Sequence, residues 1–339
     1  MHDTRRPAGT PAAAPLPAPR GELSEHVLAA LTGEPGHSRP VPPVRAADPY
    51  GEDLHLTLYA CYELHYRSFA GVDPRWEWDP GLLGFRASAE AVFLAGLRAD
   101  TPGGDDPAGA IDELLVEPVD AGGVAQRLRD RGSREQMREY IAHRSIYHLK
   151  EADPQAWVIP RLSGPAKAAL VAVEYDEYGA GRGDRMHQRL FADLMTGLGL
   201  DAGYLAYLDR VPAPMLTVVN LMSLLGLHRA WRGALVGHFA AAEITTPPSA
   251  RRMADALRRL GAPDACVEFY TEHVEADAVH EQVMRHDVVD ELIRAEPGLA
   301  PDVAFGVEAT TLVEDRFADH VLRSWDDGRT SLRTPLAAG

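Results

Sequence analysis

Only two cysteines, Cys61 and Cys266, occur in 339 residues. That is too few for a disulfide framework or a four-cysteine zinc site, which fits a reducing cytoplasm and removes thiol-built scaffolds from consideration. Cations are outnumbered as well: 34 Lys and Arg stand against 50 Asp and Glu, a formal net charge of -16. A nucleic-acid footprint needs clustered Lys and Arg, and an anionic membrane repels such a surface, so small molecules or proteins are the partners to expect. No run approaches the ~18 apolar residues of a membrane span. The alanines near the N-terminus are broken by proline every few residues, which excludes the continuous apolar segment of a signal peptide. Nowhere do apolar and polar residues alternate over a useful strand length, so no sheet is expected. Aromatics make up only 7% of the chain, but the 45% hydrophobic content is enough to bury a large core.

What is present is helical patterning. Residues 1–49 are rich in Pro, Ala and Gly and read as a disordered tail and linker, interrupted by a short helix at Leu23–Leu31. Residues 50–120 read as an N-terminal helical extension, with helices at Leu54–Phe69, Ala87–Arg98 and Ile111–Leu115, suited to pairing two copies of the chain. Residues 121–330 read as the main bundle. Its helices are expected at Gly123–Arg129, Ser133 to about Lys150, Pro165–Tyr178, Arg185–Gly197 capped by Asp184, and Ala202–Leu208. Met215–Leu225, Arg229–Ile244, Pro248–Leu260, Pro263 to about Ala295 and Ala300–Ser324 follow. Ser133 with Gln136 forms a capping box. The fold class is all-α, a bundle whose facing helices can project ligands inward.

The most informative stretch is CVEFYTEHVEADAVHEQVMRH, Cys266–His286, in which His273, Asp277 and His280 fall at i, i+4 and i+7. At about 100° per residue these side chains lie within roughly 60° of one another on one helical face. Two imidazoles and a carboxylate suit iron, manganese or zinc. By itself the triplet fits a metal site and two solvated histidines equally. A bundle site needs donors from further helices, and two upstream stretches offer them. HRSIYHLKEADP holds Glu151, and EYDEYGAGRGDRMHQRLF holds Glu177 and, across a glycine-rich break, His187.

This H-x3-D-x2-H pattern, with E…E-x9-H before it, resembles the haem-oxygenase-like di-iron oxidases and oxygenases. The surrounding text (KEADP, DEYGAGR, EHVEADAVHE) is similar to their iron-containing redox enzyme group, and the six spacings to its N-oxygenating branch. The resemblance covers roughly Ser133–Trp325. It implies a haem-oxygenase-like bundle in which Glu151, Glu177, His187, His273, Asp277 and His280 hold two Fe(II), the second weakly, with O2 as co-substrate and an electron donor outside the chain. Some members of that branch carry a C-terminal cupin domain, for which this chain is too short. Ferritin-like proteins use E-x-x-H on two bundle helices, whereas here that motif occurs only at Glu34/His37 and Glu52/His55, in or beside the Pro-rich connector. Haem oxygenases use one early His, a role that explains none of the six.

The implied activity is O2-dependent N-oxygenation of an amine or guanidine-like small molecule. The alternatives are an oxidase that desaturates, decarboxylates or cleaves a C–C bond of a fatty acid or amino acid, and a non-catalytic iron-binding helical protein. Around the ligands, Tyr147, Tyr178, Phe269 and Tyr270 are placed to line a pocket, although aromatics at helical spacing are as a rule plain core. His148 shares the helical face of Glu151, for an outer-shell or extra-ligand role against the commoner hydrogen-bonded helical His. Arg182 and Arg185 flank the glycine-rich break, either to hold a substrate carboxylate or as surface arginines. Glu243 lies on an apolar helix, to be either a buried paired carboxylate contacting substrate or a helix-end charge. Glu272 is expected to be solvated.

Overall fold

The structure is a computed structural model describing residues 13–36, 41–116 and 122–337; the side chains of Glu275, Asp277 and Ala278 lie outside what it describes. All regular elements among the described residues are helical, as the all-α class requires. In chain order they begin with α1 (Glu22–Leu31), α2 (Glu52–Glu63), α3 (Pro80–Asp100), α4 (Pro107–Leu115) and α5 (Val124–Arg131). Next come α6 (Arg134–His148), the single turn α7 (Asp153–Ala156), α8 (Gly164–Glu177), α9 (His187–Gly197) and α10 (Ala213–Leu227). Last are α11 (Arg232–Arg259), α12 (Asp264–Gln282), a π-helical segment Val283–Val289, α13 (Asp290–Ala295) and α14 (Ala300–Asp326).

Local chemistry explains most boundaries. The capping box at α6 forms in both directions, Gln136 N–H donating to Ser133 Oγ at 3.2 Å and Ser133 N–H to Gln136 Oε1 at 3.0 Å. Helix α3 starts at Pro80, earlier than its periodicity suggests, because Asp79 caps the N–H of Leu82 at 2.9 Å and proline fits the first helical position. The sequence WEWDP before it is a short 3-10 turn, Pro74–Trp78.

Four expectations need correction. The helix expected to reach Phe69 is α2, which ends at Glu63 and passes into turns over 64–67. The segment 202–208 is a run of turns with Leu205 at φ 61°, not a helix. Helix α9 starts at His187 with no side-chain cap; Asp184 lies in the preceding turns. The two helices expected on either side of Pro247–Pro248 are one, α11. Prolines there remove the N–H partners of the Glu243 and Ile244 carbonyls. The helix nonetheless continues, because its length is held from outside, by α12 along one side and α14 along another. Tertiary packing outweighs the local break.

Helix α10 is buried on nearly every face and forms the axis of the molecule. Helices α2, α6, α11 and α14 pack around it. One continuous apolar core runs from Leu23 of α1 to Trp325 of α14. Helix α1, inside the segment read as tail and linker, buries Val27 and Leu31 against this core and packs on α2, while Ala70 N–H donates to the carbonyl of Ala14 at 2.7 Å. Among the described residues no helix is long and apolar enough to cross a membrane.

Candidate metal centre

Four helices and one turn deliver side chains to one buried place. Glu151 lies beyond the end of α6, on a tight turn closed by Ala152 at φ 70°. Glu177 is the last residue of α8 and His187 the first of α9. Gly179, at φ 68°, makes that doubling back feasible, since a Cβ there would stand 2.6 Å from the Arg185 and Met186 backbone. The result brings His187 Nδ1 to 2.7 Å from Glu177 Oε2. His273 and His280 come from α12, and Glu243 from the middle of α11.

These six residues, all buried, divide into two groups: Glu151, His187 and His273, and Glu177, Glu243 and His280. In each, one ligand-capable atom per residue lies within 4.8 Å of the others. The first group is tied together by His273 Nε2, 3.6 Å from Glu151 Oε1, and by the rings of His187 and His273 at 4.3 Å between centroids. In the second, His280 Nδ1 is 3.1 Å from Glu243 Oε2 and 3.7 Å from Glu177 Oε1. The groups face a shared small cavity of about 20 Å³ whose lining includes Glu151, Glu177, Glu243 and His273. That is room for about one small particle the size of a water.

The surroundings fit a cation. Glu151 Oε2 is buried with no hydrogen-bond partner among the described residues, a costly state for a carboxylate that nothing else coordinates. The Phe269 carbonyl can only accept, so His273 Nδ1 donates to it at 2.6 Å and Nε2 faces Glu151 Oε1. His148 Nδ1 bonds Glu151 Oε1 at 2.8 Å, and stacks on Tyr147 with centroids 4.4 Å apart. Burial opposes ionisation of Glu151, but the neighbouring imidazoles of His148 and His273 overcome it and hold the carboxyl well below the usual range. Imidazole nitrogens and carboxylate oxygens are donors that iron accepts.

On the other side, Glu243 is pushed up by burial and by the charge of Glu177, against the pull of His280. Burial opposes protonation of His280, yet the hydrogen bond to Glu243 and the charges of Glu243 and Glu177 push its imidazole up to about 9. Its second nitrogen meets Asp176 Oδ2 at 3.2 Å. Metal entry has to expel that proton, so metal uptake releases protons and its affinity rises with pH up to about 9. Without metal the sign is opposite. The folded value lies above the ordinary 6.5, so this contact's stabilisation is complete below pH 6.5 and is lost as pH rises through about 9. Calorimetric Mn(II) titrations at increasing pH, in buffers of different ionisation enthalpy, count the protons released. Melting of the metal-free protein over the same range measures the opposite slope.

The expected site residues are distributed as follows. Glu151, Glu177, His187, His273 and His280 converge; the backbone of Asp277 lies in α12, and its side chain is outside the described residues. Tyr147, His148, Phe269 and Tyr270 line a cavity of about 430 Å³ that reaches Glu151 and His273. Tyr178 does not: its hydroxyl donates to Asp153 at 3.0 Å, beside a separate outer groove. Arg182 is exposed, while Arg185 is engaged by Glu268 and Glu272, so Arg185 is already paired and Glu272 is not simply solvated. Sequence reasoning missed Glu243 as a metal-facing group. It also missed Glu174, three residues before Glu177, which is 2% exposed with neither carboxylate oxygen hydrogen-bonded among the described residues. Burial and the charges of Glu177 and Glu243 push Glu174 up to about 9. The only local signal was that i, i+3 spacing. A larger cavity of about 630 Å³, between α4 and α14, touches none of these groups.

Helices around two buried clusters of carboxylate and imidazole define a candidate bundle-borne metal centre, of the kind non-haem metal oxidoreductases use. Residues 138–315 match the iron-containing redox enzyme family, and the chain belongs to it. The resemblance drawn from the ligand spacings is thereby met, and the protein is an oxidoreductase by family. Among curated proteins it is similar to the nitrosourea synthase of Streptomyces achromogenes subsp. streptozoticus, 26% identical over 204 residues. That match covers 60% of this chain and 42% of the relative, so the chain spans less than half of the relative's length. Among solved structures it is similar to a CADD-like protein of unknown function from Nostoc punctiforme, with a TM-score of 0.46 and 15% identity, over 64% of this chain and 96% of that one.

Proposed function

We propose that this protein is a non-haem di-iron, O2-dependent oxygenase that oxygenates the nitrogen of an amine or guanidine-like small molecule. The observation that carries the two-metal reading is the pair of buried three-residue groups facing one small cavity. Bound iron supplies the electrons with which O2 is reduced, and a separate donor returns them. The chain's own residues do the rest. His148 and the Phe269 carbonyl hold Glu151 and His273 in orientation. Phe269 and Tyr270 are buried and Tyr147 half-buried, and together they keep bulk water from the inner end of the 430 Å³ cavity. On the cavity wall Glu314 is paired with Arg144 at 2.7 Å, and it is Asp315 beside them that favours a cationic head over a fatty-acid carboxylate. The similarity to a protein named nitrosourea synthase supports nitrogen as the oxidised atom.

Incubation of the Fe(II)-loaded protein with a panel of amines and guanidines under 18O2 tests this reading by mass spectrometry. Label retained on nitrogen is the expected result. An unlabelled desaturated or chain-shortened product assigns the oxidase chemistry instead. Reversible iron binding without any O2 consumption assigns a non-catalytic iron-binding protein.

A further inference from the structure

Lys150 precedes Glu151 in the chain and points away from it. Its side chain is 1% exposed and its Nζ lies 3.0 Å from Glu63 Oε2 on α2, whose side chain is 0% exposed. Lysine and glutamate are rarely buried this completely, and a buried ion pair is weak evidence of stabilisation by itself. The surroundings complete it: the rings of Tyr59 and Tyr66 stand 4.7 and 4.4 Å from the ammonium, and Tyr204 donates its hydroxyl to Glu63 Oε1 at 2.7 Å.

From Glu63 a hydrogen-bond network runs to the other ligands' neighbours. The Arg67 N–H donates to Glu63 Oε1 at 3.3 Å, and its guanidinium donates to Gln188 Oε1 at 2.8 Å. Gln188 Nε2 donates to the backbone carbonyl of Glu151 at 2.9 Å and to Asp153 Oδ1 at 3.1 Å. Asp153 Oδ1 also accepts from Tyr178 at 3.0 Å. Lys150, Gln188 and Tyr178 are the immediate chain neighbours of Glu151, His187 and Glu177. His273 and His280 are held by the regular ladder of α12, but Glu151 lies on a turn past the end of α6, so the backbone that aims its His148-bonded carboxylate is fixed by these tethers.

We infer that the Glu63–Lys150 ion pair, with Gln188, positions the Glu151 carboxylate for metal binding, and that α2 is therefore part of the metal centre. The inference rests on reading the two buried groups as metal sites. These are positioning residues, acting through Glu151, and the test is metal affinity rather than turnover. Mn(II) alone is titrated into the full chain, with free Mn(II) followed by electron paramagnetic resonance, for wild type, the double variant Glu63→Gln/Lys150→Met and Gln188→Ala; each is also melted. Both charges leave together in the double variant, and the introduced amide still accepts from Tyr204 and Arg67, so its melting temperature stays near that of wild type. One Mn(II) site is expected to weaken by about 10–100-fold, the usual effect of losing an outer-shell partner. Gln188→Ala shifts the same site in the same direction by less. Unchanged affinity at both sites in the double variant, or in Gln188→Ala where the double variant does not fold, overturns the inference and leaves the metal reading standing. Absence of tight Mn(II) binding by wild type sinks both.

Discussion

His273→Ala is expected to lower Fe(II) uptake from about two ions per chain to about one, as the loss of one half of a two-metal site requires. The variant removes one of three donors from the Glu151 group, and the remaining pair, a carboxylate and the His187 imidazole, is too small a set to retain the ion. Glu177, Glu243 and His280 reach their group from α8, α11 and α12 without His273, so the second ion stays. O2 consumption should fall by more than the roughly 100-fold that loss of an outer-shell partner costs, because a ligand itself is gone. Anaerobic Fe(II) titration followed by oxygen-electrode measurement gives both numbers. Glu243→Ala makes the reciprocal test, emptying the other group while sparing the first. Uptake that drops to zero in both variants would mean one shared ion rather than two. Uptake unchanged in Glu243→Ala would remove that residue from the ligand set.

Gly306→Val is expected to destabilise the fold by roughly 3 kcal/mol or more, the upper range for forced overpacking. A Cβ at Gly306 of α14 would stand 2.0 Å from the carbonyl oxygen of Ala234 on α11, and one at Gly237 of α11 would stand 2.0 Å from that of Val303 on α14. The two helices touch backbone to backbone, with a glycine on each side of the contact. Removing a helical glycine gains at most about 1 kcal/mol in helix propensity, which is less than the cost of pushing α11 and α14 apart. The displacement matters to the site because α11 carries Glu243. Thermal melting should therefore show a loss of roughly 4 °C or more, at about 1.4 °C per kcal/mol for a chain of this length, with weakened metal uptake in whatever fraction stays folded. Equal stability of the variant and wild type would show that α11 and α14 can separate without consequence.

The ligand spacings were legible because helical geometry converts sequence separation directly into direction. His273 and His280 share a face of α12 whatever else the chain does. The Gly179 turn was legible for a similar reason: only a residue without Cβ fits its φ of 68° beside the Arg185 and Met186 backbone, so a break between Glu177 and His187 follows from composition. The errors share a cause as well. Pro247–Pro248 reads as a helix boundary locally, but α12 and α14 hold α11 in one piece. Tyr178 sits beside a ligand in sequence yet turns outward to Asp153, because consecutive residues do not share a helical face.

The sequence by itself determined an all-helical chain, the capping of α6 and the shared face of His273 and His280 on α12, since each depends on residues within a few turns of one another, and the family to which the whole belongs, through short motifs that each lie within such a span. Only the tertiary structure decided that Glu243 faces the centre, that Glu174 is buried beside it, and that Lys150 reaches across to Glu63. Those facts depend on which helices lie side by side. Helix pairing is settled by non-local packing and by the exclusion of water from the space between helices, and no local pattern of residues encodes it.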